Sequence, residues 1–153
     1  MCLNTEADVP IRAGLRATGA AWNTVGTWEE MILQKPNNTL TVRSAERCSA
    51  ALLKHDRLRG ALPEGYSPSL LCAGGLCDNE TYAGDSGTPL LSFKHTLLAP
   101  QGPFAVDYVL GIASSLSYCT VRDADGYLLP DLFADVSQHI DWIERIVWPG
   151  KAV

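Results

Sequence analysis

The chain has 153 residues, 46% of them hydrophobic and 19% charged, with a formal net charge of −5. A chain of this length supports one domain with its own core, and this balance excludes intrinsic disorder. The acidic charge argues against a nucleic-acid partner of the ordinary basic-patch kind. No apolar run reaches the roughly 18 residues of a transmembrane helix, so no membrane role is expected. The opening MCLNTEADVP carries Glu6 and Asp8 and lacks the basic and apolar regions of a signal peptide.

In chain order, residues 14–22 and 38–43 read as β-strands. Residues 44–56 read as a helix with Ser44 at its N-cap and Ala45, Cys48, Leu52 and Leu53 at helical spacing. Further strands are expected at 69–73, 88–94, 107–115 and 128–136. The segments 95–106 and 120–128 read as long surface loops. A closing helix is expected over 137–148, opened by Ser137, with Ile140, Ile143 and Val147 on one face and Trp148 beside them. Pro149-Gly150 stops it. Many short strands between Gly, Pro, Asn and Asp suggest a sandwich or barrel.

Five cysteines (Cys2, Cys48, Cys72, Cys77, Cys119) accompany glycosylation sequons at Asn37 and Asn79. An odd count in a secreted domain leaves one thiol over, or bonds it to another chain. Five reduced thiols inside a cell are the alternative, and composition does not choose between them. No zinc-spaced Cys/His set and no phosphate-binding loop is present, so no metal or cofactor is expected.

The most specific stretch is residues 72–91, CAGGLCDNETYAGDSGTPLL. Within it Gly84-Asp85-Ser86-Gly87 is a glycine-flanked serine. A nucleophilic serine needs an exposed hydroxyl and backbone N–H groups close to the substrate carbonyl. Flanking glycines permit the tight turn and leave room for the substrate. The N–H groups of Gly84 and Ser86 are candidates for an oxyanion hole. An ordinary surface turn is the plainer reading of four such residues.

This stretch resembles the nucleophile region of chymotrypsin/trypsin-like serine proteases, with their C-A-G and G-D-S-G-G-P-L pattern. The resemblance extends in order along nearly the whole chain. CLN at 2–4 is similar to the family's P-I-C-L crossover segment, and ATGAAWNT at 17–24 stands at its T-G-W-G strand. Residues 44–53 match its intermediate helix. Gly111-Ile112-Ala113-Ser114 matches G-I-V-S, and PDLFADV at 130–136 matches P-G-V-Y-T-x-V. HIDWIERIV at 139–147 matches the closing helix.

The resemblance implies an all-β fold for residues 1–153: a six-stranded antiparallel Greek-key barrel, the C-terminal half of a two-barrel protease domain, with an intermediate and a C-terminal helix. It implies peptide-bond hydrolysis through an acyl-enzyme at Ser86, outside the cell. It also exposes a gap. The family's triad runs His, Asp, Ser, and the first two precede the matched region. His55, His95 and His139 stand at none of the catalytic positions. Without a base, the Ser86 hydroxyl stays protonated and weakly nucleophilic. Asp85 would pair with the ammonium of a newly cut N-terminus, which is also not in this chain. An inactive chain that needs its missing N-terminal barrel is therefore expected; the alternative is a non-catalytic homologue that works by binding.

The same resemblance pairs Cys48 with Cys72 and lets Cys77 replace the position of Tyr82 as the partner of Cys119. It leaves Cys2 for a bond to an activation or regulatory segment. Ser92 stands where relatives have a cysteine, and the usual partner near Leu15-Arg16 is missing too. In the specificity pocket, Glu80 lies near the family's basal acid and Asp131 at a wall position that is usually Gly. Ser114 belongs to the substrate-lining strand, followed by Ser115 in place of a Trp and Leu116 in place of a rim Gly. Thr88 replaces the second Gly after the serine. Two carboxylates favour a Lys or Arg side chain in a polypeptide substrate. The plainer reading makes Glu80 and Asp131 solvated loop acids.

Overall fold

The computed structural model describes residues 2–3, 11, 14–20, 23–25, 32–34, 37–54, 59–60, 62–74, 86–92, 95–99, 102–115 and 129–150. Eleven strands are seen among them: β1 (Cys2–Leu3), β2 (Arg16–Ala20), β3 (Asn23–Val25), β4 (Ile32–Gln34), β5 (Asn37–Val42), β6 (Leu70–Gly74), β7 (Pro89–Ser92), β8 (His95–Ala99), β9 (Gly102–Val106), β10 (Tyr108–Ser115) and β11 (Asp131–Asp135). Helix α1 spans Ala45–Lys54. A 3-10 turn over Val136–His139 leads into α2, Ile140–Val147.

Six of the strands close a barrel. The order is β10-β11-β6-β5-β2-β7, and β7 returns to pair with β10. Every pairing in this ring is antiparallel. Three successive ring strands, β2, β5 and β6, lie side by side, and the fourth, β7, returns beside the first, which is a Greek key. Closure leaves the ring without an edge. Strand β1 adds in parallel to the start of β10, Cys2 opposite Tyr108 and Leu3 opposite Val109.

Alternation along each strand builds three apolar clusters. Ala17, Leu40, Leu71, Ala73, Leu90, Leu110 and Phe133 belong to the central core. Their outward neighbours serve two other faces, as a period of two requires. Cys72 and Leu132 pack with Cys48, Ala51 and Leu52 of α1. Leu91 and Val109 pack with Val136, Ile140 and Ile143 beneath α2. On β10, Tyr108 and Leu110 join the central core, but so does Ala113 rather than Ile112. The pairing with β7 skips a residue between Val109 and Gly111, so a bulge resets the alternation. Gly111 is required there: a Cβ would sit 3.0 Å from both Ala134 O and Phe133 Cβ.

A disulfide joins Cys48 of α1 to Cys72 of β6, as the resemblance implied. At the α1 start, Ser44 Oγ accepts from the Arg47 N–H at 3.4 Å. The exposed Glu46 carboxylate is held below its ordinary pKa by its own backbone N–H and by Ser44. The buried face of the helix is Cys48, Ala51 and Leu52, whereas Ala45 and Leu53 are exposed. Ser92 is buried, and its Oγ accepts from the Tyr108 N–H at 3.0 Å. A hydrogen bond thus ties β7 to β10 where the family resemblance expects a cysteine.

Three expectations are corrected. Residues 95–106 are not a loop: β8 and β9 form a hairpin, with Ala99 opposite Gly102 and Gly102 at φ 113°. Pro103 within β9 masked it in the sequence, yet an outer strand of a two-stranded sheet tolerates proline. The closing helix starts at Ile140 after a 3-10 turn. The cap of that turn is Asp135, whose Oδ1 accepts from Ser137 N–H at 2.9 Å and Ser137 Oγ–H at 2.7 Å. Val147 and Trp148 are about half exposed and do not complete the packed face of α2. The hairpin of β3 and β4 was not foreseen. The expected loop over 120–128 lies outside the described residues.

Candidate active site

Ser86 sits on the turn that leads into β7, and it is exposed. The next residue, Gly87, has φ 87°, a left-handed conformation that favours glycine. Two backbone bonds pin this turn to the barrel wall. Gly87 N–H donates to Ala113 O at 2.7 Å, and Ala113 N–H donates to Thr88 O at 2.9 Å. Strand pairing then continues with Pro89 opposite Ile112. The serine is therefore displayed by a turn anchored on both sides of one β10 residue.

The register brings other candidate residues to the same end of the barrel. Ser114 is exposed one residue beyond Ala113. Ser115 ends β10 opposite Leu132, after a second bulge. Asp131 begins β11 opposite Ala73. Only 5% of Asp131 is exposed, so it is not a solvated loop acid. Nothing in the local sequence signals that burial; it comes from the position of β11 between β10 and β6.

Of the described histidines, His95 starts β8 and His139 ends the 3-10 turn, exposed. Neither belongs to the turn that carries Ser86, nor to β10 and β11, which carry Ser114 and Asp131. Gly84, Asp85, Glu80, Leu116, Cys77, Cys119, Tyr82 and His55 lie outside the described residues, and so does the expected Cys77–Cys119 pairing. The Cys2 backbone is in β1. Sequence reasoning missed the role of Ala113 as the anchor of the serine turn. Its signal was weak: a small residue two positions after Gly111 in a strand of otherwise ordinary composition.

An exposed hydroxyl held on a rigid turn can attack a carbonyl once a base takes its proton. The described residues supply the display of the hydroxyl and a buried carboxylate at the same barrel end.

The Trypsin family model matches residues 1–143. Among curated proteins, phenoloxidase-activating factor 3 of Holotrichia diomphalia is 31% identical over 114 residues, covering 74% of this chain and 27% of that protein. The serine protease Hayan of Drosophila melanogaster is 26% identical over 152 residues, covering 98% of this chain and 22% of that protein. The structure of mouse brain neuropsin, a serine protease, superposes with a TM-score of 0.53 at 19% identity, over 95% of this chain and half of that one. The chain thus spans under a third of these two curated relatives and half of the neuropsin chain. With its closed six-stranded barrel, its closing helix and a family match over most of its length, this chain belongs to the trypsin family of serine proteases.

Proposed function

We propose that this chain is the nucleophile-bearing half of a secreted trypsin-like endopeptidase, with Ser86 as nucleophile and the N–H groups of Gly84 and Ser86 as the oxyanion hole. The carrying observation is the exposed Ser86 on a turn locked to Ala113 by the Gly87 and Thr88 bonds. The histidine base and its aspartate come from a first barrel outside this chain. In that assembly Ser86 Oγ gives its proton to the histidine and bonds to the scissile carbonyl carbon. The carbonyl oxygen becomes the oxyanion, and the protonated histidine then gives its proton to the leaving amine. Water, losing a proton to the same histidine, adds to the acyl carbon; the ester bond to Ser86 Oγ breaks, the acid is released and the histidine returns its proton to Oγ. Asp85 pairs with the ammonium of the activated N-terminus. Cys2 links the chain to an activation or regulatory segment.

The substrate is a polypeptide with Lys or Arg at the cleaved bond, read by Asp131 and Glu80. The buried position of Asp131 favours this over a bland acidic loop, because a buried carboxylate discriminates strongly for a cation. The test is hydrolysis of lysine and tyrosine esters by this chain co-expressed with a first barrel. Lysine-ester turnover that Ser86→Ala abolishes is expected. No turnover above the Ser86→Ala background would reject the catalytic reading.

One observation favours a second reading, a non-catalytic homologue that binds partners. Thr88 stands where the family resemblance expects glycine, and its carbonyl takes part in the serine turn; a side chain there narrows the room that a substrate backbone would need. In that case the co-expressed assembly binds polypeptide without cleaving it.

A further inference from the structure

We propose a second binding site, at the far end of β11 from Asp131, that takes the basic side chain of a polypeptide partner. A cavity of about 370 Å³ opens there between the start of α1, β6 and the 3-10 turn. That is the small end of ligand pockets, which run from about 300 to 1,000 Å³. It has room for one long side chain rather than a large molecule. Ile11, Val42 and Leu70 give it an apolar wall.

The chemistry of the ligand follows from which polar atoms are already engaged. Asp135 lines the cavity and is only 6% exposed. Its Oδ1 accepts both bonds from Ser137, while its Oδ2 takes no hydrogen bond from the described residues. Tyr66 donates its hydroxyl proton to Leu70 O at 2.6 Å, so its oxygen is left as an acceptor. Burial raises the Tyr66 pKa, and the nearby Asp135 charge raises it further. The Glu46 carboxylate at the rim is turned back to its own N–H and Ser44.

Arg43 also lines the cavity, but its guanidinium lies over Gly74, where a Cβ would come within 3.1 Å of Nε and Nη2. Gly74 is four strand residues from Leu70, about 13 Å along the sheet. The cation is thereby held away from Asp135. What faces the cavity is an acceptor set around a buried carboxylate, with an apolar wall for a methylene stem. An ammonium or guanidinium on an aliphatic chain matches both parts. This site is independent of the reading of Ser86.

The test is titration of the isotope-labelled chain with Nα-acetyl-lysine amide, followed through backbone amide resonances. Saturable shifts at Asp135, Ser137 and Tyr66 are expected. The neutral isostere Nα-acetyl-norleucine amide should bind at least tenfold more weakly. Asp135→Asn keeps a cap oxygen for Ser137 and should also weaken lysine binding at least tenfold, with the amide spectrum otherwise retained. Equal binding of the two amides, or an unchanged affinity in Asp135→Asn, would overturn the site. So would shifts confined to Ala113–Ser115, which would mean capture beside Ser86 instead.

Discussion

The two helices cover different walls of the barrel, α1 over β6 and β11 and α2 over β7 and β10, and they do so in different ways. Helix α1 turns one large apolar residue outward, Leu53, which is 66% exposed. Its inward face packs against Cys72, Leu129 and Leu132, and a covalent bond staples it to β6. Helix α2 presents apolar residues on both sides. Ile140 and Ile143 face Leu91, Val109 and Val136. Trp142 and Ile146, four residues apart and so on one face, are 60% and 64% exposed. Trp142 and Ile146 together form an exposed apolar patch, the kind of surface that marks interaction sites. Both helices therefore leave apolar surface outward: a single leucine, Leu53, on α1 and a paired Trp142 and Ile146 on one face of α2.

The comparison can be broken in several places. The largest effect is expected from Cys48→Ala with Cys72→Ala. The bond closes a 24-residue separation, and its loss should cost about 3–4 kcal/mol in urea unfolding. A loss under about 1 kcal/mol would mean that packing alone holds α1. Next comes Gly111→Ala. The added Cβ meets Ala134 O and Phe133 Cβ, and overpacking of this kind costs about 1–3 kcal/mol. An unchanged midpoint would show that the β10 bulge can relax.

On α2 the two faces should separate cleanly. Ile143→Ala should lower stability by about 1–2 kcal/mol, since the residue is only partly buried. The exposed Trp142–Ile146 face predicts self-association of the wild-type chain; Trp142→Glu with Ile146→Glu should leave stability within about 0.5 kcal/mol and convert it to monomer in analytical ultracentrifugation. A wild-type chain that already sediments as a clean monomer would remove the case for association through this face.

The smallest effect lies at the α1 start. The Glu46 pKa is lowered in the folded chain, so its contribution is present above the unfolded-state pKa and is lost as pH falls through the folded value. Glu46→Gln should lower stability slightly near neutrality and converge with the wild type in acid, which flattens the acid limb of the profile. An identical acid limb in both proteins would remove that role.

Much of this was legible residue by residue. The strand run Tyr108–Ser115 and the wall of β6 are read directly from apolar composition, and Cys48 with Cys72 followed from the family resemblance. What escaped depended on contacts distant in sequence. The β8–β9 hairpin was hidden because Pro103 and Gly102 look like loop residues until a partner strand is placed beside them. The Asp135 cap was hidden because Ser137 is itself a common N-cap residue; only the backbone shows that it donates rather than accepts. The burial of Asp131 depends on the neighbours of β11, which no local pattern encodes. Of the candidate site, Ser86 and Gly87 stand out in the sequence as a glycine-flanked serine. The anchoring of the serine turn by Ala113 does not, because it needs the register of β7 against β10.

The most direct measurement is labelling of Ser86 by a fluorophosphonate probe, with and without a co-expressed first barrel. The account predicts covalent labelling of Ser86 only when the first barrel is present, and none in Ser86→Ala. An assembled two-barrel protein whose Ser86 stays unlabelled would contradict it, and would make this chain a binding homologue rather than half of a protease.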